Sequence, residues 1–166
     1  MSGGSFRADF ARLNNLIVSL SKNYRIKVGI LSDKDNRKDD TAGNAEIGAI
    51  NEFGGKRDGV KIPPRSFLRM PIAVKRDQII TEGGKGAEEL IARGKVEQMY
   101  KRVGTAAVGV INDAFKSRGF GTWAPNEAST IRGKSHGRGK KRKVGDSPLI
   151  DTRQLQRSIL SKVEPR

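Results

Sequence analysis

The stretch "IGAINEFGGKRDGVKIPPRSFLRMP", residues 47–71, decides much of the fold, because it changes from a helical to an extended pattern within a few residues. Ile47, Ile50 and Phe53 have the spacing of one face of a short helix. Gly54-Gly55 follows directly, and glycine is the usual residue for the left-handed turn that ends a helix. The first part of this stretch therefore predicts a short helix that stops at the glycine pair.

The second part of the stretch predicts an extended arm over residues 56–70. Pro63-Pro64 forces an extended backbone and removes two amide donors, so this segment suits an edge strand or an arm. Pro71 suits the first turn of a following helix, since proline there loses no intrahelical hydrogen bond. Gly83-Gly84 is the expected end of that helix.

The residues before this stretch predict an N-terminal helix, a strand and a loop. Apolar residues first recur at intervals of four, three, four and three, which marks one helical face: Phe6, Phe10, Leu13, Ile17 and Leu20. The next apolar residues alternate with Arg25, Lys27 and Gly29, which predicts a half-buried strand: Tyr24, Ile26, Val28 and Ile30. Residues 32–43 carry many charges without periodicity and are expected to form an exposed loop.

The residues after the stretch predict one long central helix from about Ala87 to Lys116, with Gly119 as its stop. Its best apolar stripe contains Met99, Val103, Ala106, Val110 and Ala114. Three glycines at 94, 104 and 109 interrupt it, so either the helix bends or another backbone packs closely. The expected fold is α+β, a single domain over residues 1–166. It has a small mixed sheet packed with the N-terminal and central helices, and extended loops or arms.

The composition indicates a basic protein with a modest core. The chain has 33 Lys and Arg against 18 Asp and Glu, a formal charge of +15, and only 35% hydrophobic residues. Globular domains usually have about 45% apolar residues, so the core is either small or completed by neighbouring subunits. The charge predicts a negatively charged partner, which could be nucleic acid, an acidic protein face or a membrane surface.

A cationic tract within residues 132–143 is the strongest electrostatic feature, and no acidic residue lies between Ala128 and Gly145. Its glycines predict a basic flexible loop over residues 119–147, suited to contact with phosphates without reading bases. A solvated loop that orders against an acidic subunit is the alternative. The residues expected to contact DNA or an acidic partner are Arg132, Lys134, Arg138, Lys140, Lys141, Arg142 and Lys143.

Residue counts argue against catalysis. His136 is the only histidine and the chain has no cysteine, so a histidine-based triad, a two-histidine metal site and cysteine ligands are excluded. We therefore expect no catalytic residue, no cofactor and no metal. No apolar run approaches the roughly 18 residues that a membrane-spanning helix needs, so a soluble protein without a membrane partner is expected.

The C-terminal residues 148–166 predict a docking segment. Pro148-Leu149-Ile150 suits a short extended piece, and Asp151 or Thr152 can cap a helical turn. Leu155 and Ile159 then fall on one side of that turn. Such a segment has an apolar side that can bind the body of this chain or of a neighbour.

Four stretches, taken in order over residues 24–162, carry a resemblance to a known family: "IGAINEFGG", "KIPPRSFLR", "WAPNEASTIRGKS" and "SPLIDTRQLQRSI". We call them words one to four. Together they resemble the virion morphogenesis, tail-completion and head–tail joining (neck) proteins of tailed bacteriophages, among them tail protein Z of phage lambda. Two positions depart from the family pattern, since Arg153 replaces a glycine in word four and Ser66 replaces a proline in word two. The first departure puts a tight turn at Arg153 in doubt.

The resemblance implies a small α+β structural protein of the virion that assembles as a ring at the neck or tail top. Such a ring has neighbouring neck and tail-tube proteins, and packaged double-stranded DNA passes through its lumen. A homo-oligomer of about six copies would gather roughly 90 positive charges, which suits a polyanionic partner. The residues expected to serve the fold and subunit contact include Phe53, Ile62, Pro63, Pro64, Arg65, Phe67, Trp123, Leu149, Ile150, Asp151 and Leu155.

Two other hypotheses compete with a ring protein of the virion. A stand-alone nucleic-acid-binding protein would explain the charge but gives no reason for four ordered words. An enzyme is disfavoured by the missing histidines and cysteines. The resemblance also carries a structural expectation: the chain ends soon after Ile159, so a further C-terminal sheet found in longer relatives is expected to be missing.

Overall fold

The computed structural model describes residues 3–31, 35, 43–57, 59–128, 148–149 and 153–166. It confirms an α+β fold, with helices and small two-stranded sheets. The helices are α1 (Gly3–Ser21), α2 (Asn44–Phe53), α3 (Arg69–Val74), α4 (Arg76–Gly84), α5 (Ala87–Ala92), α6 (Val96–Lys116) and α7 (Gln154–Arg157). The strands are β1 (Tyr24–Ile30), β2 (Gly55–Arg57), β3 (Val60–Ile62) and β4 (Ile159–Pro165).

The residues fall into two compact units, each assembled from separate stretches of the chain. Unit 1 comprises residues 1–28, 77–107 and 161–166, and unit 2 comprises residues 29–76 and 108–160. The charged loop at 32–43 and the basic loop at 119–147 lie largely outside the described residues.

Unit 1 contains a two-stranded sheet that the sequence did not predict. β4 pairs with β1, and the amide of Arg166 donates to the carbonyl of Asn23 at 2.6 Å. Lys27 and Glu164 form an ion pair across the strands at 2.6 Å. Residues 159–165, which lie within the segment predicted to dock, therefore form a strand, and β1 supplies its partner.

Two helices predicted as continuous are each divided. The expected helix over 87–116 is α5 followed by α6, because Gly94 adopts a left-handed backbone with φ of 67°. The helix expected from Pro71 to Gly84 is α3 followed by α4, with Lys75 between them. Close packing does occur at Gly104, where an added Cβ would lie 2.9 Å from the Ser161 side chain.

Unit 2 contains most of the buried apolar core and the hairpin of β2 and β3. The strands are antiparallel, with Gly55 opposite Ile62 and Arg57 opposite Val60. Its fully buried apolar side chains include Phe67, Ile111, Ala114 and Phe115. α2 approaches this core through Gly48, where an added Cβ would contact Ile30, Phe67 and Leu155.

A tight turn is present at Arg153, where the resemblance leads one to expect a glycine. Arg153 has φ of 58° and ψ of 15°, the left-handed conformation, directly before α7. A side chain in this region costs about 1 kcal/mol relative to glycine. The departure therefore changes the energy of the turn and leaves its geometry in place.

Arg153→Gly is expected to raise the free energy of unfolding by about 1 kcal/mol, because glycine removes this strain from an exposed position. Arg157→Gly inside α7 is the matched control, and it should lower stability by about 1 kcal/mol through the helix propensity of glycine. Urea unfolding of both variants measures the effect. Equal destabilisation by the two changes would contradict the strain at Arg153.

Candidate subunit-contact site

A buried carboxylate organises the centre of unit 2. Glu52, near the end of α2, is 4% exposed. Its Oε1 accepts hydrogen bonds from Ser66 Oγ at 2.6 Å, the Arg69 amide at 3.1 Å and Arg69 Nε at 3.0 Å. Its Oε2 accepts from the amides of Phe67 at 2.7 Å and Leu68 at 2.9 Å. One side chain of word one therefore fixes four consecutive residues of word two.

The bonds to Glu52 explain why a carboxylate is stable in this core. Burial raises the pKa of the Glu52 carboxyl, but hydrogen bonds from Ser66, Leu68 and Arg69 outweigh it, so the pKa lies below its ordinary value of 4.5. Three of the donors are backbone amides at the start of α3, which have no partner within that helix. Glu52 thus caps a neighbouring helix from across the chain and stays ionised.

Ser66, where the resemblance leads one to expect a proline, adds a hydroxyl to this arrangement. Its Oγ donates to Glu52 and accepts from the amide of Met70 at 3.0 Å. The preceding amide, that of Arg65, donates to the carbonyl of Asn51 at 2.6 Å. Words one and two are therefore joined through both side chains and backbone.

Arg65 joins word two to word three. Its Nε donates to the carbonyl of Ala124 at 2.9 Å and its Nη2 to the carbonyl of Pro125 at 2.8 Å. The residue is 7% exposed, and burial lowers the pKa of its guanidinium while nearby Glu127 raises it. Because the guanidinium is used inside the unit, Arg65 contributes to the fold and presents no charge to a partner.

Aromatic packing reinforces the same connection. Phe67 and Phe115 lie with ring centroids 5.5 Å apart, and Trp123 meets Phe115 edge to face at 5.5 Å. The indole Nε1 of Trp123 donates to the carbonyl of Ser66 at 3.3 Å. Trp123 is thus a core anchor between word three and word two, with its polar atom satisfied.

The exposed part of this centre is the Phe53–Arg69 surface, which we define as Phe53, Pro64 and Arg69. The Phe53 ring is 63% exposed, and the Arg69 guanidinium lies 4.3 Å from its centroid. Arg69 is held by its Nε bond to Glu52, while its side chain remains 65% exposed. A buried carboxylate thereby presents an oriented cation and an aromatic ring to solvent, and both residue types are enriched at protein interfaces.

The predicted contact residues occupy three kinds of position. Arg65, Phe67, Trp123 and Leu155 are buried in unit 2, so they serve the fold. Ile62, Pro63 and Leu149 are half-buried, while Phe53 and Pro64 are exposed and remain the predicted contact residues at the surface. Ile150 and Asp151 lie outside the described residues, as do all seven basic residues predicted to meet DNA or an acidic partner: Arg132, Lys134, Arg138, Lys140, Lys141, Arg142 and Lys143.

No protein-family model, curated protein or solved structure matches the chain. Among the described residues, no group of three or more histidine, cysteine or carboxylate side chains could hold a metal ion. None of the helices in the described ranges is long and apolar enough to cross a membrane. Function can therefore be inferred from the four stretches of the resemblance and from the contacts between them in unit 2.

Proposed function

We propose that this chain is a structural component of a tailed-phage virion, forming a ring at the neck or tail top that completes the tail and joins it to the DNA-filled head. The observation that supports the proposal most is that the four words of the resemblance meet in one compact unit. Glu52 bonds word one to word two, and Arg65 and Trp123 bond word two to word three. Gly48 packs against Leu155, which brings word four to word one.

This convergence argues that the words are parts of one structural design. Residues 52, 66 and 123 are far apart in the chain, and chance similarity to scattered words would not require them to share hydrogen bonds. Family patterns that specify a buried hydrogen-bonded centre are expected to persist, because losing one partner leaves the others unsatisfied. The proposal adds a role in assembly for the exposed Phe53–Arg69 surface.

Charge supports the same proposal. A surplus of 15 positive charges per copy is unfavourable in a closed ring unless a polyanion or acidic neighbours balance it. DNA in the lumen or an acidic adjacent ring supplies that balance. The cationic residues at 132–143 are the proposed contact.

Disruption of the gene in its phage, followed by negative-stain electron microscopy of lysates, tests the proposal. We expect filled heads beside separate tails of normal length, because a missing joining ring leaves both assemblies intact but unconnected. Tails of uncontrolled length would instead assign the protein to the terminator position of the tail. Intact infectious particles would contradict a role in the virion.

The second candidate is a stand-alone nucleic-acid-binding protein, which the +15 charge favours. Duplex binding by the isolated chain distinguishes the two functions. A stand-alone binder should bind tightly at low salt with a steep salt dependence, since each phosphate contact releases counterions. A ring component should bind weakly as a single copy, because its affinity for DNA depends on many copies acting together.

A further inference from the structure

Helix α1 carries an exposed apolar face. Arg12, Asn15 and Lys22 line a groove with residues 93–95 of the same unit. Phe10, Leu13 and Ile17 are 65%, 54% and 56% exposed. At 3.6 residues per turn, the second group lies on the opposite side of α1 from the first. The side of α1 that borders this groove carries polar residues that are themselves exposed, and the apolar residues on the opposite side are exposed as well.

The exposed residues have the spacing of a seam between two helices. Their intervals of three and four continue in the sequence through Phe6 and Leu20, which gives five positions in a 4-3-4-3 order. This average of 3.5 residues is the repeat with which one helix packs along another. Nineteen residues make a helix about 28 Å long, and the exposed seam residues 10–17 span about 10 Å of it.

The net charge of α1 indicates which partner covers its apolar seam. The 19 residues of α1 contain two arginines and one aspartate, a net charge of +1, whereas the whole chain carries +15. The apolar seam contains no cation that could bind an acidic protein or nucleic acid. Helices that bind an anionic membrane have a polar face rich in Lys and Arg, whereas α1 has only two arginines in 19 residues. Two copies of this basic chain can meet with least repulsion through α1.

We propose that α1 pairs with α1 of a second copy through the seam of Phe10, Leu13 and Ile17. The contact is isologous, so each residue is used by both copies. The apolar area is small compared with a standard interface, and the pair is expected to be weak, with a Kd on the order of 10 µM. The pairing is independent of the proposed virion role, since a stand-alone DNA-binding protein could use the same helix.

Sedimentation equilibrium of the full chain tests whether pairs form. We expect a concentration-dependent dimer, with Leu13→Glu weakening association at least tenfold. Ala11→Glu adds the same charge to an exposed position of α1 off the seam and should leave the Kd within about twofold. A wild-type chain that stays monomeric at about 200 µM, or equal loss in both variants, would overturn the proposal.

Cross-linking tests whether Leu13 lies at the seam, and the chain suits it because it contains no cysteine. Leu13 is the middle of the three seam positions, so it meets its own copy in a parallel in-register pair and in a centred antiparallel pair. Leu13→Cys should therefore form a disulfide-linked dimer much faster than Ala11→Cys, given the short Cα distance that a disulfide requires. Equal rates for the two variants would show that another surface makes the contact.

Phe10→Cys then gives the direction of the pair. Rapid dimerisation of that variant alone indicates parallel helices, while rapid dimerisation only in a mixture with Ile17→Cys indicates antiparallel helices; either result supports the seam. Sedimentation with vesicles of neutral and anionic lipid tests the rival occupant. Binding of vesicles by the wild type, without self-association and lost in Leu13→Glu, would overturn the pairing in favour of a membrane surface.

Discussion

Replacing Glu52 with glutamine is expected to lower the free energy of unfolding by about 3 kcal/mol at neutral pH, because it removes a charge-assisted cap from the amides that start α3. Glutamine is nearly isosteric, so no cavity contributes to the loss. Its amide nitrogen would face a ring of donors where the carboxylate accepted five hydrogen bonds. Denaturant unfolding followed by circular dichroism measures the change.

The same change is expected to make stability less dependent on pH. The pKa of Glu52 is lowered in the folded chain, so its stabilising effect is complete above the ordinary value of 4.5. That effect is lost as the pH falls below 4.5 through the folded value, since the unfolded chain then binds more protons. The gap between wild type and Glu52→Gln should therefore narrow from pH 7 towards pH 3. A constant gap would contradict a role for the ionised form.

Glu46→Gln is the matched control, because it makes the same chemical change on the same helix at an exposed position. Glu46 lies in the first turn of α2, where its charge contributes only a few tenths of a kcal/mol. A loss at Glu46 as large as that at Glu52 would mean that general electrostatics of α2, and not the cap on α3, determine the result. Near-neutral behaviour at Glu46 leaves the buried hydrogen bonds as the cause.

Elements with strong local patterns could be predicted from the sequence. β1 covers residues 24–30 as the alternation indicated, and α2 ends at Phe53 before the positive φ of Gly54. In both cases the pattern and the stop signal are within a few residues of each other. Local chemistry alone determines such elements.

Elements that depend on distant partners could not be predicted in the same way. β4 forms because it pairs with the edge of β1, and no pattern within residues 159–165 indicates that pairing. The hairpin of β2 and β3 was a missed local signal, since Asp58-Gly59 is a typical two-residue turn and Arg57 pairs with Val60 across it. Pro63-Pro64 led to the prediction of an extended arm over residues 56–70, although the residues before the prolines form the hairpin.

The centre of unit 2 depends partly on local sequence patterns and partly on contacts between distant residues. Its residues were singled out through the resemblance, but the role of Glu52 as a cap required knowledge of which amides approach it. The available signal was Glu52 itself, a carboxylate between the apolar positions Ile50 and Phe53, since such a residue is rarely buried without several donors. The exposure of the apolar face of α1 could likewise not be predicted, because periodicity identifies an apolar face without saying whether the chain itself covers it.

Gly119→Ala is expected to destabilise the chain by about 3 kcal/mol, because two costs coincide at this glycine. Gly119 has φ of 67°, which costs an L residue about 1 kcal/mol. An added Cβ would also overlap the indole of Trp123 and force the ring away from Phe115. Since Trp123 bonds to the Ser66 carbonyl, the displacement should loosen the link between words two and three.

Gly121→Ala separates the cost of a positive φ from the cost of overlap with the Trp123 ring. Gly121 also has a positive φ, of 86°, but no atom lies within 4 Å of an added Cβ there, so only the loss of about 1 kcal/mol is expected. Trp123 is the only tryptophan, and its fluorescence reports directly on the ring. Emission should shift to the red in folded Gly119→Ala and stay unchanged in Gly121→Ala. Equal losses with unchanged emission would contradict the expected overlap between a Cβ at residue 119 and the ring of Trp123.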